Sequence, residues 1–201
     1  MMSLRNKIAI AAFGVGVVLL ATPTVSYSAA NHLPAGTTVT GKLKAGTDMT
    51  FAGTVDSEPI TVSCTSFSAS GKVPKAGATE VPLSAPPKIT GCTDSLGGTD
   101  TITDNSTNGK WELTANTKAP YTITLTIPKA GSTLSSSLVV GCVVTAAPSK
   151  ADPVKGSYNY KRGSVTVTNR AIPTKGSGCT SITATTSATI VLTPNPGRPP
   201  F

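Results

Sequence analysis

After its first thirty residues this chain nowhere sustains a helical hydrophobic period. Short alternating runs recur instead, each closed off by Gly, Pro, Asn or Asp. Apolar residues at every second position describe strands with one buried face. The clearest runs are residues 37–43, 48–54, 60–66, 99–103, 111–115, 121–127, 138–145, 157–161, 164–168 and 183–193. They are rich in Thr, Val and Ile, whose branched side chains suit a pleated surface. Asn108-Gly109, Pro128-Lys129-Ala130-Gly131 and Arg162-Gly163 supply turns between them. Many short strands at this spacing predict an all-β fold, an antiparallel β-sandwich.

The first thirty residues have a different character. Arg5 and Lys7 precede an apolar run from residue 8 to 21, and small residues follow up to Ala30. That order of basic, apolar and small segments is the pattern of a secretory signal peptide, expected to span residues 1–30. The apolar run is too short to cross a bilayer, which needs about twenty residues. The expected mature protein is therefore secreted, soluble or attached to the cell surface from outside, and has no membrane span.

Cleavage leaves about 170 of the 201 residues, enough for one sizeable core. Aromatic residues in that part are few: Phe51, Phe67, Trp111, Tyr121, Tyr158, Tyr160 and Phe201. A core built mainly from Val, Ile, Leu and Ala buries less area per residue, so covalent staples are expected to help. The chain has four cysteines, and export places them where disulfides persist. Three pairings are open to Cys64, Cys92, Cys142 and Cys179. An internal likeness favours Cys64 with Cys92 and Cys142 with Cys179. Cys64 and Cys142 each end an apolar run, while Cys92 and Cys179 each sit in Gly-Cys-Thr. The same likeness raises the expectation of two similar halves, 37–116 and 121–193, within one domain of residues 31–193. Pro74, Pro82, Pro86 and Pro87 exclude an interior strand between residues 73 and 87. A proline-rich tail is expected over residues 194–201.

Catalytic signals are sparse. The one histidine, His32, lies at the expected new N-terminus, where no rigid pairing with a nucleophile can be counted on. No catalytic residue and no cofactor is assigned. A carbohydrate-active enzyme would need two carboxylates across a groove, with Glu58, Glu80, Glu112, Asp94, Asp100 and Asp104 as the available acids. Asp94, Asp100 and Asp104 also form a weak calcium candidate, although the stretch from Asp104 fails the EF-hand pattern at Ala115. The competing reading is a solvated hairpin turning at Asn108-Gly109.

Charge is distributed unevenly. Between residues 31 and 149, eight lysines face eight acidic residues, so that segment is neutral. From Lys150 onward seven cations face Asp152 alone. Lys155, Tyr158, Tyr160, Lys161, Arg162, Arg170 and Lys175 are the candidate contacts for an anionic cell-envelope polymer. A solvated face or a charged, aggregation-resistant strand edge would produce the same pattern. Nucleic acid is not an expected partner of an exported chain.

Residues 91–98 (Gly-Cys-Thr-Asp-Ser-Leu-Gly-Gly), 138–142 (Leu-Val-Val-Gly-Cys) and 178–180 (Gly-Cys-Thr), together with the exported start, resemble small secreted two-disulfide β proteins of actinobacteria. The resemblance implies export and a disulfide-linked β fold, and carries no activity. The expected function is non-enzymatic binding at or near the cell envelope. The rivals are a secreted inhibitor or small-ligand carrier, which would use a cleft or the 73–87 loop, and the carbohydrate-active enzyme.

Overall fold

A computed structural model describes residues 33–181 and 183–194. The expected signal peptide, His32 and residues 195–201 of the expected tail lie outside the described residues. Thirteen strands account for the regular structure: β1 Thr38–Leu43, β2 Met49–Val55, β3 Glu58–Lys72, β4 Glu80–Pro82, β5 Lys88–Asp94, β6 Thr99–Asp104, β7 Glu112–Asn116, β8 Thr122–Ile127, β9 Ser132–Ser136, β10 Val143–Ala146, β11 Asp152–Asn159, β12 Ser164–Ser177 and β13 Thr183–Pro194. The all-β expectation holds, and no helix long and apolar enough to cross a membrane occurs among the described residues.

The sandwich expectation is corrected. Neighbouring strands run β13-β2-β3-β5-β6-β9-β10-β12, and β12 pairs again with β13. Every pairing in that ring is antiparallel, so the sheet closes into an eight-stranded barrel. Closure leaves the ring without unpaired edges, which two stacked sheets would have exposed. Three long strands make it possible. β3, β12 and β13 span 15, 14 and 12 residues, and each serves different partners along its length. β12 pairs with β11 near its start, with β13 from Ser164 to Pro173, and with β10 near its end. Its register shifts between Val167 and Arg170, where Asn169 takes a positive φ of 45°. Such a bulge bends a strand and re-aims its continuation.

A wing of β11, β8, β7 and β4 extends from the first half of β12. Through a bridge between Gly71 and Leu83 it returns to β3, and β1 lies between β3 and β13. Gly71 permits this approach: a Cβ there would stand 2.7 Å from the Pro82 carbonyl oxygen and 2.9 Å from the Val81 side chain. β4 is the short edge segment that the prolines of residues 73–87 allow. One core cluster, with Val62, Cys64, Phe67, Ile89 and Cys92, belongs to the barrel. Another, with Trp111, Ile127, Ala147, Val154 and Ile172, joins barrel to wing.

Two local expectations fail. Residues 138–145 were expected to be one apolar strand, yet only Val143–Ala146 pairs, and residues 137–142 form the β9–β10 loop. Asn108-Gly109 closes no hairpin, because β6 pairs with β5 and β9 while β7 pairs with β4 and β8. The turn instead carries the chain from barrel to wing. The segments 37–116 and 121–193 interleave in the sheet, with β13 between β1 and β2.

The four hairpin turns of the barrel gather at one end. Asp56 in the β2–β3 turn and Thr180 in the β12–β13 turn bond reciprocally, N–H to carbonyl at 3.1 Å and N–H to Oδ1 at 2.7 Å. Leu138 of the β9–β10 loop rests where a Cβ on Gly98 of the β5–β6 turn would fall. Leu96, Leu138 and Val140 are exposed on these turns.

Both expected disulfides form: Cys64–Cys92 joins facing residues of β3 and β5, and Cys142–Cys179 ties the β9–β10 loop to the β12–β13 turn. On a chain-entropy account each loop, of 28 and 37 residues' separation, contributes about 3.5 to 4 kcal/mol. Cys64 and Cys92 also pack in the core. Urea unfolding should therefore show the Cys64→Ala/Cys92→Ala variant losing more stability than Cys142→Ala/Cys179→Ala, which should lose about 4 kcal/mol. Equal losses would mean that core packing of the first bridge adds nothing.

Candidate functional site

Inside the barrel lies a partly open cavity of about 130 Å³. Its walls are almost wholly apolar: Phe51, Val62 and Phe67 come from β2 and β3, Ile89 and Ile102 from β5 and β6, and Leu134 and Val144 from β9 and β10. The wing and its approach contribute Trp111, Leu125, Ile127 and Val154. Trp111 is held in place by its indole N–H, which donates to the Asn105 carbonyl at 2.8 Å. A smaller cavity of about 60 Å³ adjoins, between the wing and the strands β1, β3, β12 and β13. Met49, Phe67, Leu125, Val154 and Thr186 line both. A core short of aromatic residues leaves such room because Val, Ala and Thr fill little of a barrel's interior.

Few polar side chains reach the larger cavity. Alternation along β6 turns Asp100, Ile102 and Asp104 inward, while Thr99, Thr101 and Thr103 are exposed. Asp104 lines the cavity, its two carboxylate oxygens shut off from solvent and without hydrogen-bond partners. Burial pushes its carboxyl up to about 6, and the nearby Ser132 hydroxyl acts weakly in the opposite direction. Thr186 is 2 % exposed, and its hydroxyl has no partner. Thr174 and Ser181, also in the wall, satisfy each other at 2.9 Å.

Asp94 and Asp100 serve differently. Asp94 Oδ1 accepts the backbone N–H groups of Leu96 and Gly98, each at 2.9 Å, and Oδ2 accepts the Ser136 hydroxyl at 2.9 Å. The Gly98 bond is the foremost reason that the Asp94 carboxyl is held low. It is a turn anchor. Asp100 is raised by its own burial and then by the charge of Asp94, and its oxygens have no partners. Asp104 lies four residues further along β6, so the three aspartates do not assemble into the expected calcium candidate. No group of three or more His, Cys, Asp or Glu among the described residues is placed to hold a metal ion. Glu58, Glu80 and Glu112 lie on β3, β4 and β7, outside the cavity wall.

The basic candidates lie on the outside. Lys155, Lys161, Arg162, Arg170 and Lys175 are all exposed, on β11, the β11–β12 turn and β12. Arg170 reaches the Pro153 carbonyl at 3.5 Å and lowers the carboxyl of Asp152, which its burial raises. The Tyr160 ring stacks edge-on against Tyr121 with centroids 5.5 Å apart. Tyr158 is half-buried, and burial raises its phenol. The 73–87 loop is pinned at both ends: Val73 donates to the Thr37 carbonyl at 2.9 Å, and Ser84 to the Ser70 carbonyl at 2.8 Å. Sequence reading named Asp104 only as a calcium donor or one of several available acids, and missed Thr186. The inward spacing of Asp100, Ile102 and Asp104 was the available signal.

Comparison of the chain with protein-family models, curated proteins and solved structures finds no match.

The raised carboxyl of Asp104 makes stability depend on pH with a definite sign. The folded state holds this proton near pH 6, the unfolded chain near the ordinary value of 3.8. Ionised burial is therefore fully costly above the folded value, and the cost is relieved as pH falls from about 6 to about 4. Unfolding measured between pH 7.5 and 4.5 should show wild-type stability rising as pH falls. Over that range Asp104→Asn should rise less, by about 2 kcal/mol. Parallel curves for the two proteins would contradict this assignment.

Proposed function

We propose that this is an exported, non-enzymatic β-barrel protein that carries a small, mainly apolar molecule in its interior. The cavity of about 130 Å³ walled by apolar side chains is the observation that carries the reading. Eight-stranded barrels have interiors of the right width to hold one small ligand. An apolar cavity of about 150 Å³ stays dry and accepts a molecule the size of benzene. Two disulfides are compatible with an oxidising, extracellular setting. The apolar cavity supports small-ligand carriage as the main role, with surface binding second.

Toluene tests the reading. At about ten times its dissociation constant it should stabilise the protein by about 1.4 kcal/mol, a rise in Tm of about 3 to 6 °C. Ala184→Phe, which places a ring in the cavity wall, should abolish the rise. No shift in the unmodified protein would overturn the proposal.

A second role rests on the five exposed cations of β11, β12 and their turn. They would hold the carrier to an anionic polymer of the cell envelope, as outward-facing charge on a β surface can. Binding of the purified protein to isolated envelopes should fall with salt. It should be lost when Lys155, Lys161, Arg162 and Arg170 are changed to Ser. Equal retention of both proteins would remove this role and leave the carrier reading untouched.

A further inference from the structure

Two turns meet at one end of the wing, β7–β8 over residues 117–121 and β11–β12 over residues 160–163. Tyr121 and Tyr160 join them: the rings stand edge to face with centroids 5.5 Å apart, and each side chain's residue is 36 % exposed. The Tyr158 N–H donates to the Tyr121 carbonyl at 3.0 Å, which ties the turns through the backbone as well. Each turn is also held from within. Asn116 Oδ1 accepts the Lys118 N–H at 3.2 Å, and its Nδ2 donates to the Pro120 carbonyl at 3.1 Å. Asn159 Oδ1 accepts the Arg162 N–H at 3.2 Å, and the Gly163 carbonyl accepts the Leu192 N–H at 2.7 Å. A chain short of aromatic residues for its own interior thus leaves two of them together at the surface, on ordered backbone.

Lys118, Lys161 and Arg162 belong to the same two turns and are exposed, and neither turn contains an acidic residue. Arg170, by contrast, acts on Asp152. Lys155, Ser157 and Asn159 face solvent along β11 and lead to this end of the wing. Resting on the envelope-binding role, we propose that the two turns bind an acidic polysaccharide, a sugar ring packing on Tyr121 and Tyr160 and its carboxylate held by Lys118, Lys161 and Arg162. One face of a sugar ring is made of C–H groups and packs on an aromatic ring while the hydroxyls stay in water. The cations attract the polymer from a distance, and a guanidinium can grip a carboxylate with two parallel bonds. A polyanion without sugar rings can use the charges alone.

Polygalacturonate, a polymer of uronic acid, and polyphosphate, which has charge and no sugar, separate the two contributions. Titration calorimetry of the purified protein at low ionic strength should show both polymers binding. Tyr121→Ala/Tyr160→Ala should lose about tenfold for polygalacturonate and stay within about twofold for polyphosphate. Lys118→Ser/Lys161→Ser/Arg162→Ser should lose about tenfold or more for both. NMR of the unmodified protein draws the same distinction without a variant, so a folding defect cannot mask the answer. Galacturonate oligomers should shift the ring signals of Tyr121 and Tyr160 and leave those of the half-buried Tyr158 in place. Ring signals that stay fixed while the oligomer binds, or a tyrosine variant that weakens both polymers alike, would overturn the sugar assignment and leave the anionic-polymer role standing. Binding of neither polymer would overturn both.

Discussion

The fold depends on one strand being paired on both sides. β13 hydrogen-bonds to β12 on one flank and to β2 on the other, and those two ladders convert an open sheet into a ring. Its later residues pair with β1. Thr186 sits at the crossing, opposite Phe51 of β2 and Arg170 of β12, and borders both cavities. Inward side chains from most strands of the ring meet in one space, which Trp111, Leu125, Ile127 and Val154 of the wing also border. Without closure, the apolar faces would have to collapse on each other and the cavity would vanish.

An interior formed this way has to be filled by side chains or by something else. The chain spends few aromatic residues on it, and among the described residues Phe51, Phe67 and Trp111 are the large rings in its wall. Ala52, Ala146 and Ala184 take positions where a larger residue would have closed the gap. At the hairpin end, packing is supplemented by directed bonds, with Asp94 holding the β5–β6 turn and the Cys142–Cys179 bridge joining the neighbouring β9–β10 loop and β12–β13 turn. Rigidity at that end and room in the middle are complementary: a cavity persists only where its walls cannot relax into it.

The sequence made strand identity legible and closure illegible. Runs such as 122–127, with Ile123, Leu125 and Ile127 inward and threonines between, announce themselves by alternation. β3 does not, because its inward set runs Ile60, Val62 and Cys64 and then changes phase to Phe67 and Ala69. The change falls opposite Gly91, whose φ of 67° accommodates it. β12 is interrupted likewise at its bulge, so only its first few residues read as a strand. Those two shifts are the bends that let long strands serve two neighbourhoods, and period-2 reasoning treats them as ends. Residues 138–142 misled in the other direction, since an apolar composition there belongs to an exposed loop. The cysteine pairing was readable from repeated local context. Asp104 was visible as an acid, but its meaning depended on which face of β6 closes over the interior.

Xenon enters dry apolar space without imitating any natural ligand, and so tests directly whether the barrel interior is open to a guest. Methyl-resolved NMR of the protein under xenon pressure should show saturable shifts at Ile102, Leu125 and Ile127, which line the cavity, and none at Leu96 or Val140 on the exposed turns. Shifts confined to the exposed methyls, or none at the interior ones, would contradict the account.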